Sequence, residues 1–322
     1  MAHPVQDQSP TVARDAGHGR PRNLVVCIDG TGNHPDDATE EGNDTTNVLR
    51  LSEALARDEE QVTDYFRGVG TSGWVLIDAK GQLAGYGAER LRDKALAFLE
   101  SNYQPGDRIY LFGFSRGAAI CRDLANAIHD RGLRSTPSPL IAFLGLWDTV
   151  AAFGIPIDVL GLPTGSIELG KCLDVPASVR QTVHLLAIDE RRTPFIPTLV
   201  EAGPAVEEIW FAGAHADVGG GFRDRELAEV PLRYMIRRAA EHGLRFSEDA
   251  VRAIPANDDA RGELHDKPSL LPKELRRIVV RKDGRESNLP PAVHESVVRR
   301  LQSGGYRPPN LFALEGKYRV VS

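Results

Sequence analysis

Cysteine is scarce. Three residues, Cys27, Cys121 and Cys172, lie far apart in a chain of 322, with no C-x-x-C pair, so neither a disulfide framework nor a zinc knuckle is expected. Cys27 falls in an apolar strand and Cys121 in a helix, positions that suit small buried hydrophobes. Long apolar runs are missing too: nowhere do eighteen consecutive apolar residues occur, so no membrane-spanning helix is expected. The nearest approach, Val150 to Pro163 (VAAFGIPIDVLGLP), is broken by Asp158 and by glycines and prolines and reads as a loop. There is no basic surplus either. Net charge is −6 with both signs interspersed, which speaks against a surface that tracks nucleic-acid phosphates. The basic stretches near Arg276 (RRIVVRKDGR) and Arg299 (VVRRL) read as solvated faces. Residues 1–21 lack an apolar h-region and are polar with Pro and Gly, the composition of a disordered tail and not of a signal peptide.

What is present is alternation. Short apolar runs rich in β-branched residues alternate with segments of helical period, the pattern of parallel βαβ units. Strands are predicted over Asn23–Asp29, Val62–Val69, the run from Arg108, Leu140–Trp147, Val179–Ile188 and Val206–Phe211, with helices over Asn47–Ala56 and Glu89–Asn102. LIAFLGLW is apolar almost throughout, as expected of a strand covered on both faces. From Glu226 the text changes to an amphipathic helix, a Pro-, Asp- and Lys-rich region, a helix around His294 and a closing YRPPNLFALEGKYRVV. The fold class expected is α/β: an α/β-hydrolase-like, doubly wound, mostly parallel sheet with a helical C-terminal cap. We expect one domain over 22–322, with its core at 22–222 and the cap at 223–322.

Residues Arg108 to Gly117 read RIYLFGFSRG, a strand running into Gly113-Phe114-Ser115-Arg116-Gly117, with a helix-prone AAICRDLANAI behind it. G-x-S-x-G between strand and helix is a nucleophile elbow: the serine takes a strained backbone, and the flanking glycines let strand and helix approach closely. The alternative for Ser115 is a structural serine in a tight turn.

A doubly wound sheet places ligands at the carboxyl ends of its strands, and those ends carry the remaining candidates. The first strand runs into Asp29-Gly30-Thr31-Gly32-Asn33. Its Gly30 or Thr31 amide, with that of Arg116, would donate to an oxyanion. The strand over Val206–Phe211 runs into Gly213-Ala214-His215-Ala216-Asp217, which places His215 as general base. His184, His265 and His294 are expected to be structural. Three aspartates compete as the orienting acid: Asp148 (GLWDTV), Asp189 (LLAIDERR) and Asp217. Asp217 reads better as a turn or cap residue. Asp189 occupies the position many α/β-hydrolases use, yet the arginines among its neighbours Glu190, Arg191 and Arg192 offer it local ion-pair partners, and Asp148 has Trp147 to shield it from water.

Together GDRIYLFGFSRGAA, LWDTV, AIDERR, WFAGAHADVGGGF and the early DGTGN resemble the α/β-hydrolase domain of bacterial type VI secretion phospholipase effectors and their uncharacterised stand-alone relatives. The resemblance covers roughly Arg22 to Phe222, more loosely HESVVRRL and YRPPNL. It implies a triad of Ser115, His215 and Asp148, and so favours Asp148 over Asp189 and Asp217. The large effectors carry membrane-targeting or adaptor-binding regions that are not expected in this chain.

The function expected is hydrolysis of carboxylic esters, with lipid or phospholipid acyl esters as substrates, through an acyl-enzyme. No cofactor, metal or nucleic-acid partner is expected. A lipid substrate would entail transient contact with a membrane surface, with Val150 to Pro163 as a lid or acyl-chain wall. The location expected is cytoplasmic, with export left to a dedicated secretion system. Two other classes are a catalytically inactive binding module on the same scaffold, and a metal-dependent phosphoesterase using Asp29, Asp148 and Asp217.

Overall fold

The computed structural model describes residues 20–30, 45–68, 82–134, 136–151, 173–256, 262–265, 278, 281–282 and 288–322. Residues 1–19 of the expected N-terminal tail, Thr31, Cys172 and nearly all of the Val150 to Pro163 segment lie outside the described residues.

Six strands follow the predicted order: β1 (Asn23–Ile28), β2 (Gln61–Phe66), β3 (Arg108–Phe114), β4 (Ile141–Trp147), β5 (Thr182–Ala187) and β6 (Val206–Phe211). Between and after them come α1 (Asn47–Ala54), α2 (Gln82–Asn102), α3 (Arg116–Arg131), the short α4 (His215–Gly219), α5 (Glu226–Glu241) and α6 (Glu248–Arg252). Helix α2 begins a full turn and more before the expected start at Glu89.

The C-terminal region differs from a purely helical cap. It supplies a two-stranded ribbon, β7 (Arg281–Lys282) with β8 (Asn288–Leu289), then β9 (Ala292–His294), α7 (Glu295–Gln302), α8 (Pro309–Phe312) and β10 (Arg319–Val321). His294 ends β9 and caps α7 through its ring nitrogen, so the helix expected around it starts one residue later. Strand β9 pairs with β6 and β10 with β9, so that the sheet runs β10-β9-β6-β5-β4-β3-β1-β2, parallel at every step.

Strand alternation explains why helices cover both faces. In β1, Val25 and Cys27 join Tyr110, Phe112, Phe143 and Trp147 under α1 and α5. Leu24, Val26 and Ile28 point the other way, into the layer of Leu96 and Leu99 on α2 and Ala118 and Ile120 on α3. Each fully buried aliphatic side chain of this kind contributes roughly 1.5–3 kcal/mol. A third cluster joins Leu186 and Trp210 to Val293, Val297, Tyr306 and Leu311, and it docks the C-terminal elements on β5 and β6.

Strand order reverses between β1 and β3, because β2 lies outside β1 while β4, β5 and β6 follow on the far side of β3. Ile28 of β1 is level with Gly113 of β3, and Phe114 is level with Trp147 of β4. The turns after β1, β3 and β4 therefore leave the sheet together at the topological switch point, where a crevice opens in such folds.

Candidate active site

The elbow forms because its glycines leave no room for anything else. A Cβ on Gly113 would meet the Gly117 carbonyl oxygen at 2.6 Å, and one on Gly117 would meet the Ile28 carbonyl oxygen at 2.3 Å. With strand and helix so close, the chain must reverse within one residue. Ser115 does so at φ 57 and ψ −121, a left-handed conformation that costs a non-glycine residue about 1–3 kcal/mol. Its N–H donates to the Trp147 carbonyl and its own carbonyl accepts from Val150 N–H, which ties the elbow to the segment around Asp148. Ser115 Oγ forms no hydrogen bond among the described residues and acts as no side-chain cap for α3.

Asp148 follows β4 directly. Its side chain is fully buried, and its backbone is also left-handed, at φ 40. Oδ1 accepts from Ala187 N–H at 3.1 Å, while Oδ2 lies 2.6 Å from His215 Nδ1. His215 opens α4 immediately after β6, with its ring between Phe114 (centroids 4.6 Å apart) and Phe195 (4.9 Å). Phe114 is the residue before Ser115, so the imidazole packs against the strand that ends in the elbow. With Nδ1 engaged by the carboxylate, Nε2 is the nitrogen left for a reacting group.

The other two aspartates serve different partners. Asp189 Oδ2 accepts from Gly213 N–H and from the Tyr306 hydroxyl, each at 2.7 Å, and burial raises its pKa against those donors. The ion pair expected beside it goes to its neighbour instead: Arg192 pairs with Glu190 at 2.6 Å. Asp217 caps α4 through Ala214 N–H at 2.8 Å and holds His265 Nδ1 at 2.7 Å, and burial is again the leading cause of its raised pKa. His184 is the satisfied core histidine expected, between Thr149 and Glu208.

Of the expected oxyanion donors, Gly30 N–H is engaged by Asp29 Oδ1 at 2.6 Å. Thr31 lies outside the described residues. Arg116 N–H, at the first turn of α3, has no acceptor among the described residues, as the start of a helix dictates. Asp29 also accepts from Thr46 and Tyr65, which fixes the root of the turn after β1. Asp29, Asp148 and Asp217 thus have separate partners, and no group of three or more potential metal ligands converges among the described residues.

Two contributors escape a reading of the sequence alone. Phe195 has no motif around it. Glu190, expected only as an ion-pair neighbour, accepts from His215 N–H at 3.3 Å and from Arg192. Burial pushes the Glu190 pKa up, but Arg192 outweighs it and the net shift is downward. A lowered folded-state value means stabilisation that is complete above the unfolded value of roughly 4.3 and lost as pH falls through the folded one. Glu190→Gln is therefore expected to cost about 1–3 kcal/mol at neutral pH. That gap to wild type should close in acid, as urea unfolding at the two pH values would show. A gap independent of pH would mean that the charge of Glu190 is not what holds this loop.

The class is that of the α/β-hydrolase fold: a parallel, doubly wound sheet with a serine elbow at the switch point. The model of the T6SS phospholipase effector Tle1-like catalytic domain matches residues 22–139 and 134–238. The chain belongs to this family. An uncharacterized protein of Saccharomyces cerevisiae is 35% identical over 133 residues, 35% of this chain and 18% of that protein. Among solved structures, an uncharacterized protein from Pseudomonas aeruginosa superimposes with a TM-score of 0.54 at 21% identity, covering 76% of this chain and 49% of that one. A Tle1 effector bound to the VgrG spike of a type 6 secretion system gives a TM-score of 0.48 at 20% identity, over 68% and 56% of the two chains. The chain thus spans between 18% and 56% of the length of these relatives. No described helix is long and apolar enough to cross a membrane.

Proposed function

We propose that the protein hydrolyses carboxylic esters of lipids, phospholipid acyl esters included, with Ser115 as nucleophile, His215 as general base and Asp148 as the orienting acid. The observation that carries this reading is the buried Asp148–His215 pair at 2.6 Å, its ring packed on Phe114, the residue that precedes a strained elbow serine.

Ser115 Oγ attacks the ester carbonyl while His215 Nε2 takes its proton, and the Asp148 carboxylate stabilises the imidazolium formed. The Arg116 N–H, together with a donor from the turn after β1, holds the oxyanion. Nε2 then returns the proton to the leaving alkoxide, which departs as the alcohol and leaves the acyl-enzyme. A water attacks that ester, gives a proton to Nε2 and releases the carboxylic acid, and Ser115 recovers its hydrogen. The Ser115–His215 hydrogen bond is formed on this path in the substrate complex, where catalytic contacts tighten relative to the free enzyme.

A fluorophosphonate probe tests the mechanism and an ester panel tests the substrate. The folded protein is expected to take up one probe molecule at Ser115, read by peptide mass, and to cleave long-chain or phospholipid esters. No labelling of the folded protein would point to a binding module without turnover. Cleavage of short p-nitrophenyl esters with no action on long-chain esters or phospholipid would sink the lipid assignment.

A further inference from the structure

Arg116 is a half-buried cation without a counter-charge among the described residues. It makes no hydrogen bond or ion pair through its side chain among the described residues, and burial lowers its pKa to about 10. It therefore stays charged at neutral pH. Three other arginines that are buried or half-buried have their charge or donors engaged. Arg122, six residues on in the same helix, donates to the carbonyls of Leu173, Thr198 and Leu199. Arg192 pairs with Glu190, and Arg225 with Glu229.

Leaving an ion partly desolvated and unpaired is costly, and an arriving anion offsets that cost. Arg116 is bonded directly to Ser115. Any anion it engages is therefore within one arginine's length of the elbow, whichever rotamer the side chain takes.

We propose that the Arg116 guanidinium binds a phosphate group of the substrate, next to the acyl ester that Ser115 attacks. The planar fork suits a phosphate, to which it can donate two parallel hydrogen bonds. Arg116 then contributes twice, with its backbone N–H at the oxyanion and its side chain at the phosphate. This makes it the residue that separates phosphate-bearing lipids from uncharged esters with the same acyl chains. The proposal rests on Ser115 being the nucleophile, but it makes a claim that ester cleavage alone does not.

The test compares dihexanoyl phosphatidic acid with dihexanoylglycerol, both below their aggregation thresholds. Wild type is expected to favour the phosphate ester by at least about tenfold in kcat/KM, the factor that one charge-assisted contact supplies. In Arg116→Gln that ratio is expected to fall about tenfold, whatever happens to the absolute rates. Arg116→Lys, which keeps the charge and loses the fork, should retain part of it. Inorganic phosphate should compete weakly in wild type, which separates a general phosphate subsite from one that needs the lipid.

A second readout needs no turnover. Dihexanoyl phosphatidic acid should raise the Tm of Ser115→Ala protein, and should do so less when Arg116→Gln is added. If the preference ratio survives in Arg116→Gln and the Tm shift is the same with and without that change, the phosphate assignment is wrong. Absence of any ester cleavage by wild type would be the separate failure of the hydrolase reading, and the Tm comparison would still decide for or against the phosphate site.

Discussion

Ser115→Ala is expected to fold normally and to lose turnover by about 10⁴-fold or more in kcat, the scale on which a nucleophile and its base act as one unit. The fold should survive because Oγ makes no hydrogen bond among the described residues and gives α3 no side-chain cap. Alanine occupies the same left-handed position with no more strain than serine. Stability should therefore stay within about 0.5 kcal/mol of wild type, as for a substitution that removes no packing or polar partner. That combination makes the variant a clean instrument, since lost activity cannot be laid to lost structure. Kinetics on a soluble short-chain ester, with urea unfolding alongside, provide the check. Retention of a tenth of the wild-type rate would place the nucleophile elsewhere.

The second large effect is Asp148→Asn, for which we expect a loss of about 10³- to 10⁴-fold in kcat near neutral pH. Oδ1 can still accept from Ala187 N–H, so the segment should keep its position. The other half of the amide then faces His215 Nδ1 with N–H donors where a carboxylate stood. Nδ1 must accept, the ring proton moves to Nε2, and the nitrogen meant to take the serine proton is already protonated. Asp189→Asn and Asp217→Asn are the controls. They loosen contacts to Gly213 and Tyr306 in one case and to Ala214 and His265 in the other, without touching the His215 ring. Their losses should be much smaller and should appear in stability as well as rate. If Asp189→Asn loses as much as is expected of Asp148→Asn while Asp148→Asn is nearly silent, the orienting acid has been assigned to the wrong strand.

Some of this was readable from the chain alone because its physics is local. A strand such as RIYLFGF is apolar at nearly every position, so β3 starts at Arg108 as expected, and β6 spans the expected Val206–Phe211. The glycines of the elbow are likewise a local requirement, written two residues either side of Ser115. The short C-terminal strands were not readable. Three residues such as Ala292–His294 are too few to show a period of two, they follow Pro290 and Pro291, and the helical text of ESVVRRLQ begins at once. Their strand character comes from pairing with Ile209 and Trp210 of β6, more than eighty residues earlier.

By itself, then, the sequence determined the class of fold, the serine at its bend, and a short list of side chains at strand ends, because periodicity and turn chemistry act over a few neighbouring residues. The resemblance already favoured Asp148, but which partner each aspartate meets was decided only by the tertiary structure. Asp148, Asp189 and Asp217 each follow a plausible turn, and strand order together with the facing of each carboxylate gave the His215 ring to Asp148, Gly213 and Tyr306 to Asp189, and His265 to Asp217. A hydrogen bond requires two groups within about 3 Å, and which distant segments come that close is set by the packing of the whole sheet, not by the residues on either side of the aspartate.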